Sequence, residues 1–94
     1  MSGSITKTAT VNNAKGLHLR PAGLLSQLAG QFQAELTLTK DGLTVDARSV
    51  LDMLTLVATQ GSEILITGKG EDAEEAVAAL AEFVESDAHD AEEG

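Results

Sequence analysis

Apolar and polar positions along the 94-residue chain fall into seven segments with two distinct periods. Ile5, Lys7, Ala9 and Val11 alternate with Thr6, Thr8 and Thr10, which predicts a strand over residues 5–11. Asn12 to Gly16 is turn chemistry. Pro21 is tolerated in the first turn of a helix, where its missing N–H has no intrahelical partner, so a helix is predicted from about His18. Leu24, Leu25, Leu28 and Phe32 recur along it at helical spacing, while Gly23 and Gly30 weaken it by about 1 kcal/mol each relative to Ala. Ala34 to Lys40 alternates again, Asp41-Gly42 predicts a two-residue hairpin turn, and Leu43 to Ala47 returns as a second strand.

Ser49 then opens a short apolar stretch, with Asp52 three residues on in the pattern of a capping box, and Gln60-Gly61-Ser62 ends this brief helix. Glu63 to Thr67 predicts another strand and Gly68 to Gly70 a turn. Asp72 with Glu75 predicts the cap of a last helix, whose Ala73, Ala76, Val77, Leu80, Ala81 and Val84 form one apolar stripe. The order βαββαβα implies an α+β open-faced sandwich. Its four-stranded antiparallel sheet should carry three helices on one face and leave the threonine-rich face to solvent. Residues 1–86 form one domain on this reading, and the acidic residues 87–94 predict a disordered tail.

Composition narrows the chemistry. With 43% hydrophobic residues but only two Phe and no Trp or Tyr, the core must be built from Leu, Val, Ile and Ala, and a deep substrate pocket is not expected. Zero cysteines remove disulfides, thiolate chemistry and the usual zinc sites, and two histidines alone do not build a metal site, so neither metal nor cofactor is expected. No run approaches the roughly 20 apolar residues of a membrane span, and the first residues lack the apolar stretch of a secretory signal. The expected location is the cytoplasm, without membrane insertion.

The formal net charge of -9 argues against nucleic acid as a partner. The charge is unevenly placed, however: residues 1–47 carry four bases and three acids, and residues 48–94 two bases and twelve acids. Between Lys7 and Ala34 the only charges are Lys7, Lys15 and Arg20. A locally positive surface on an acidic chain suggests that an anion is handled there.

Gly16-Leu17-His18-Leu19-Arg20-Pro21-Ala22 lies in that stretch. A histidine at a helix start sits in the positive end of the helix dipole, beside backbone N–H groups available to an anion. Neutral imidazole is a nucleophile near pH 7, and an arginine two residues away forks onto phosphate oxygens with a charge that never leaves. Position and composition alone favour a surface or capping histidine and a solvated arginine. The motif resembles the active-site pattern of the HPr family of the phosphoenolpyruvate-dependent phosphotransferase system. The resemblance implies that enzyme I phosphorylates His18, that Arg20 stabilises the phosphoryl group, and that an enzyme IIA-type protein accepts it. It extends over about residues 5–86 and implies a cytoplasmic, monomeric carrier that is not itself an enzyme.

Ala47-Arg48-Ser49-Val50-Leu51 is similar to that family's regulatory-serine segment, which implies a serine kinase or phosphorylase acting on Ser49. A serine N-capping a helix is equally served by those residues. Asp52 departs from the family, where Gly or Lys is common, and an acid there repels an added phosphate. Gln27 and Gly30 stand where relatives often carry docking lysines. Val50, Leu51, Leu54 and Val57 exceed what a two-turn helix buries on one side, so either the segment is buried or some of them form a partner-docking patch beside His18, as the resemblance implies.

Two other readings compete. An acyl-carrier-like protein modified at Ser49 would also be small and acidic, but such proteins are helical bundles, and the alternating segments oppose one. A regulatory, nitrogen-type HPr-like protein acting by binding is the other, and purely regulatory relatives lack the active histidine. Gly68-Lys69-Gly70 lacks P-loop spacing, and His89 is given no role.

Overall fold

The computed structural model describes residues 3–86; His89 and the acidic tail lie outside them. Seven elements follow in order: β1 (Ser4–Thr10), α1 (Leu19–Ala29), β2 (Glu35–Lys40), β3 (Leu43–Asp46), α2 (Val50–Leu54), β4 (Glu63–Lys69) and α3 (Ala73–Glu85). The strands form one antiparallel sheet in the order β1-β4-β2-β3, the α+β architecture read from the sequence.

Alternation places Leu36, Leu38, Val45, Ile64, Ile66 and Ala9 on one sheet face, where they join the buried stripes of the helices in a single core. Thr6, Thr67 and Thr37 line up across the opposite face, and the Thr6 and Thr67 hydroxyls lie 3.1 Å apart. In β1 Ala9, and Val11 just after it, are buried as expected, whereas Ile5 and Lys7, in the first half of this edge strand, are exposed. Asp41 and Gly42 both take left-handed backbone (φ 51° and 83°), which a tight hairpin with the right strand twist requires.

Four local expectations are corrected. Gly68 and Lys69 are not a turn but the end of β4; a Cβ on the inward-facing Gly68 would lie 2.7 Å from Val77 Cγ2, so the missing side chain lets α3 close onto the sheet. Asp72 does stand at the N-terminus of α3 but makes no side-chain bond to its own helix. Its carboxylate instead accepts the N–H groups of Gln33 (2.9 Å) and Ala34 (2.8 Å), in the turn between α1 and β2. The α1 stripe is centred on Ala22, Leu25 and Ala29, with Leu24 and Leu28 half-buried and Phe32 beyond the helix end. Finally, α2 is only five residues long, and Val57 lies past it in left-handed backbone (φ 50°), which ends any helix.

Candidate functional site

The loop from Asn12 to His18 is fixed by its own turn and by the chain that follows α2. Asn13, only 2% exposed, folds the turn: its side-chain oxygen accepts the N–H of Lys15 at 3.0 Å and its carbonyl that of Gly16 at 2.9 Å. Val11 and Gly61 bond to each other's neighbourhood, Val11 N–H to the Ser62 carbonyl and Gly61 N–H to the Val11 carbonyl. Leu17 then donates its N–H to the Ala58 carbonyl at 2.8 Å.

Gly16 makes that contact possible. It adopts φ 73°, and a Cβ there would lie 2.4 Å from the Ala58 oxygen, so a side chain would both strain the turn and push the two segments apart. Next to this junction, His18 is the N-cap residue of α1, with extended backbone (φ -90°, ψ -168°). Its imidazole makes no capping bond to the helix, while its carbonyl accepts the N–H of Ala22 at 3.0 Å. His18 is half-buried, and Leu19 and Arg20 of the first turn are exposed. That turn contains no acid, so the positive end of the helix dipole is not offset beside the ring.

The structure thus brings His18 and Arg20 to one exposed helix start. Two shallow concavities, of about 320 and 360 Å³, are lined by residues of β2 and β3 with Arg48 and by Leu28, Ala79, Glu82, Phe83 and Ser86; neither is lined by His18. Among the described residues no group of three or more His, Asp or Glu side chains is placed to hold a metal ion, and no helix is long and apolar enough to cross a membrane.

Ser49 is the N-cap of α2, and its hydroxyl accepts the Asp52 N–H at 3.3 Å. The reciprocal half of the capping box is absent, because the Ser49 N–H is already bonded to the Asp46 carbonyl at 3.1 Å. The four apolar residues of this segment divide. Val50 and Leu54 pack partly on the core, whereas Leu51 is 76% and Val57 71% exposed. Leu19, between His18 and Arg20, is 63% exposed and stands off the buried stripe of α1.

Residues 5–86 match the family model described as the PTS HPr component phosphorylation site. The chain is 37% identical to phosphocarrier protein HPr of Borreliella burgdorferi over 87% of this chain and 95% of that protein. It is 38% identical to HPr-like protein Crh of Bacillus subtilis over 77% of this chain and 85% of that one. The crystal structure of a phosphocarrier protein HPr from Bacillus anthracis superposes with a TM-score of 0.84 at 43% identity, over 87% of this chain and 98% of that one.

Proposed function

Since the chain belongs to the HPr family of phosphocarrier proteins, we propose that it accepts a phosphoryl group from phospho-enzyme I on His18 and passes it to an enzyme IIA-type acceptor. The observation that carries this reading is the placing of His18 at the exposed start of α1, on a loop locked by Gly16 and the Leu17–Ala58 bond. A ring nitrogen of His18 attacks phosphorus while the bond from phosphorus to the donor group breaks; the donor leaves with that electron pair and takes up the proton that the His18 ring gives up. Arg20 and the first-turn N–H groups of Leu19 and Arg20 neutralise the charge on the phosphoryl oxygens. In the next step the phosphoryl leaves His18 by the same in-line path. On this reading the carrier acts in the cytoplasm as a monomer.

The test is a two-stage transfer. Chain loaded by enzyme I and phosphoenolpyruvate, then freed of both, should lose its phosphoryl group to an added enzyme IIA-type protein. Retention of the group on the chain counts against the carrier reading.

One alternative is a regulatory, nitrogen-type HPr-like protein that acts mainly by binding, and the chain is also similar to an HPr-like protein, Crh. On that alternative a serine kinase or phosphorylase controls Ser49, and Leu51 and Val57 serve a regulatory partner. Loading at serine but not at histidine would select it.

A further inference from the structure

We propose that the acidic residues 87–94 act as a tethered anion, which covers Lys15 and Arg20 in the unloaded chain and is displaced when a phosphoryl group or an acidic partner takes those cations. This rests on the carrier reading above and adds a control on the same site. The end of α3 is fastened beside the loop that carries His18. Asn12, the first residue of that loop, donates its side-chain N–H to the Glu85 carbonyl, and the Thr10 N–H bonds the Glu85 carboxylate at 3.4 Å. Asn12 is also held from its other side, where its carbonyl accepts the Gln60 amide N–H at 3.2 Å. The chain therefore leaves α3 through Ser86 at a fixed place next to the His18 loop.

From that place eight residues, which span up to about 28 Å when extended, reach the site. The path from Asn12 to His18 is shorter, because the 2.9 Å bond from the Gly16 N–H to the Asn13 carbonyl closes a turn whose ends lie within about 7 Å. His18 is thus within about 18 Å of Asn12, and Lys15 is nearer. Charge then selects the destination. Residues 87–94 hold Asp87, Asp90, Glu92 and Glu93 and no Lys or Arg. Lys15 and Arg20 are exposed, in a stretch without acids from Lys7 to Ala34. The far end of α3 repels instead, with Glu74 and Glu75 in its first turn and Glu71 just before it. Exposed ion pairs are individually weak, but a short tether holds these acids at a millimolar effective concentration, and the contact needs no fold in residues 87–94. A phosphoryl group on His18 brings negative charge to the same cations, so loading expels the acids.

Two measurements on the full chain test this. Zero-length carbodiimide cross-linking at low salt, read by peptide mass spectrometry, should join acids of residues 87–94 to Lys15 in preference to Lys40 and Lys69, with a yield independent of protein concentration. The second compares two triple variants that lose the same charge, Asp90→Asn/Glu92→Gln/Glu93→Gln and Glu71→Gln/Glu74→Gln/Glu75→Gln, the latter at the far end of α3, about 20 Å along the helix. With enzyme I as donor at about 0.01 M salt, the first should lower the apparent KM of the chain roughly threefold and the second should leave it near wild type. At about 1 M salt, where charges are screened beyond about 3 Å, the difference should vanish. Cross-links spread evenly over the lysines, a wild-type KM in the first variant, or equal shifts in both variants overturns the proposal and leaves the carrier reading intact. Wild-type chain that takes no label from enzyme I overturns both, since the proposal assigns the contact a role in loading.

Discussion

Asp72 and Arg48 hold the same turn of chain by opposite ends of its peptide groups. Asp72 accepts the N–H groups of Gln33 and Ala34, and Arg48 donates through one guanidinium nitrogen to the carbonyls of Phe32 (2.6 Å) and Ala34 (3.2 Å). The turn thereby joins the end of α1 and the start of β2 to the N-terminus of α3, and Arg48 itself directly precedes Ser49 in the chain. Residues far from His18 in sequence thus fix how α1 leaves its inner end.

The Gln33 N–H, with that of Ala34 and the nearby Arg48 charge, holds the Asp72 carboxyl below its ordinary 3.8. A group lowered on folding contributes stability that is complete above its unfolded value and is lost as pH falls through the folded one. Wild type should therefore lose more melting temperature between pH 7 and pH 3 than Asp72→Asn, which lacks that titration. Equal acid sensitivity of the two would show that the clamp does not form. Arg48→Ala should cost about 1 kcal/mol, since the side chain is exposed and its bonds are partly replaced by water.

Two glycine substitutions should act in opposite directions. Gly16→Ala should lower both the melting temperature and the rate of phosphoryl acceptance, because its Cβ meets the Ala58 carbonyl and φ is positive. Gly23→Ala meets nothing within 4 Å inside α1 and should stabilise by up to about 1 kcal/mol with acceptance intact. Thermal melts alongside single-turnover labelling check both, and a Gly16→Ala chain that labels like wild type would show that the junction does not position His18.

Much of this was legible in local sequence because its causes are local. Asp41-Gly42 reads as a hairpin since two successive left-handed positions need those residue types, and alternation in residues 34–40 names the inward face of β2 without any partner. His18, Arg20 and Pro21 likewise share one turn. What local pattern misread were residues whose partners lie far along the chain. Gly68 looks like punctuation but makes room for Val77, and Asp72 looks like a helix cap but bonds residues 38 and 39 positions away. Val57 reads as continuing helix, since nothing in a valine announces left-handed backbone. The close approach of Gly16 to Ala58 depends on two loops meeting, which no spacing within either one encodes.

Arg20→Ala should slow phosphoryl transfer in both directions by roughly 10- to 150-fold, the equivalent of about 1.5–3 kcal/mol for a charge-assisted contact. Lysine should restore part of the rate, because it brings the charge without the fork. Rapid-quench measurement of forward and reverse transfer reads this directly, and wild-type rates in the alanine variant would make Arg20 a bystander.

Ser49→Ala should cost about 1 kcal/mol through loss of the α2 cap, whereas Ser49→Asp keeps a capping oxygen and should melt near wild type. If α2 docks a partner, as the resemblance implies, a charge two residues before exposed Leu51 has to be desolvated against an apolar surface, so the aspartate variant should show a raised apparent KM with enzyme I. If it is labelled as readily as wild type at limiting concentration, Ser49 is a helix cap and nothing more.

The most direct measurement is the intact mass of wild-type and His18→Ala chains after incubation with enzyme I and phosphoenolpyruvate, before and after an acid wash. His18 lies at an exposed helix start outside the apolar core, so the variant should keep the fold. Wild type should gain one phosphoryl group that acid removes, since phosphohistidine is acid-labile and phosphoserine is not, and folded His18→Ala should gain none. Full labelling of the His18→Ala chain, or an acid-stable group on wild type, would contradict phosphoryl transfer through His18.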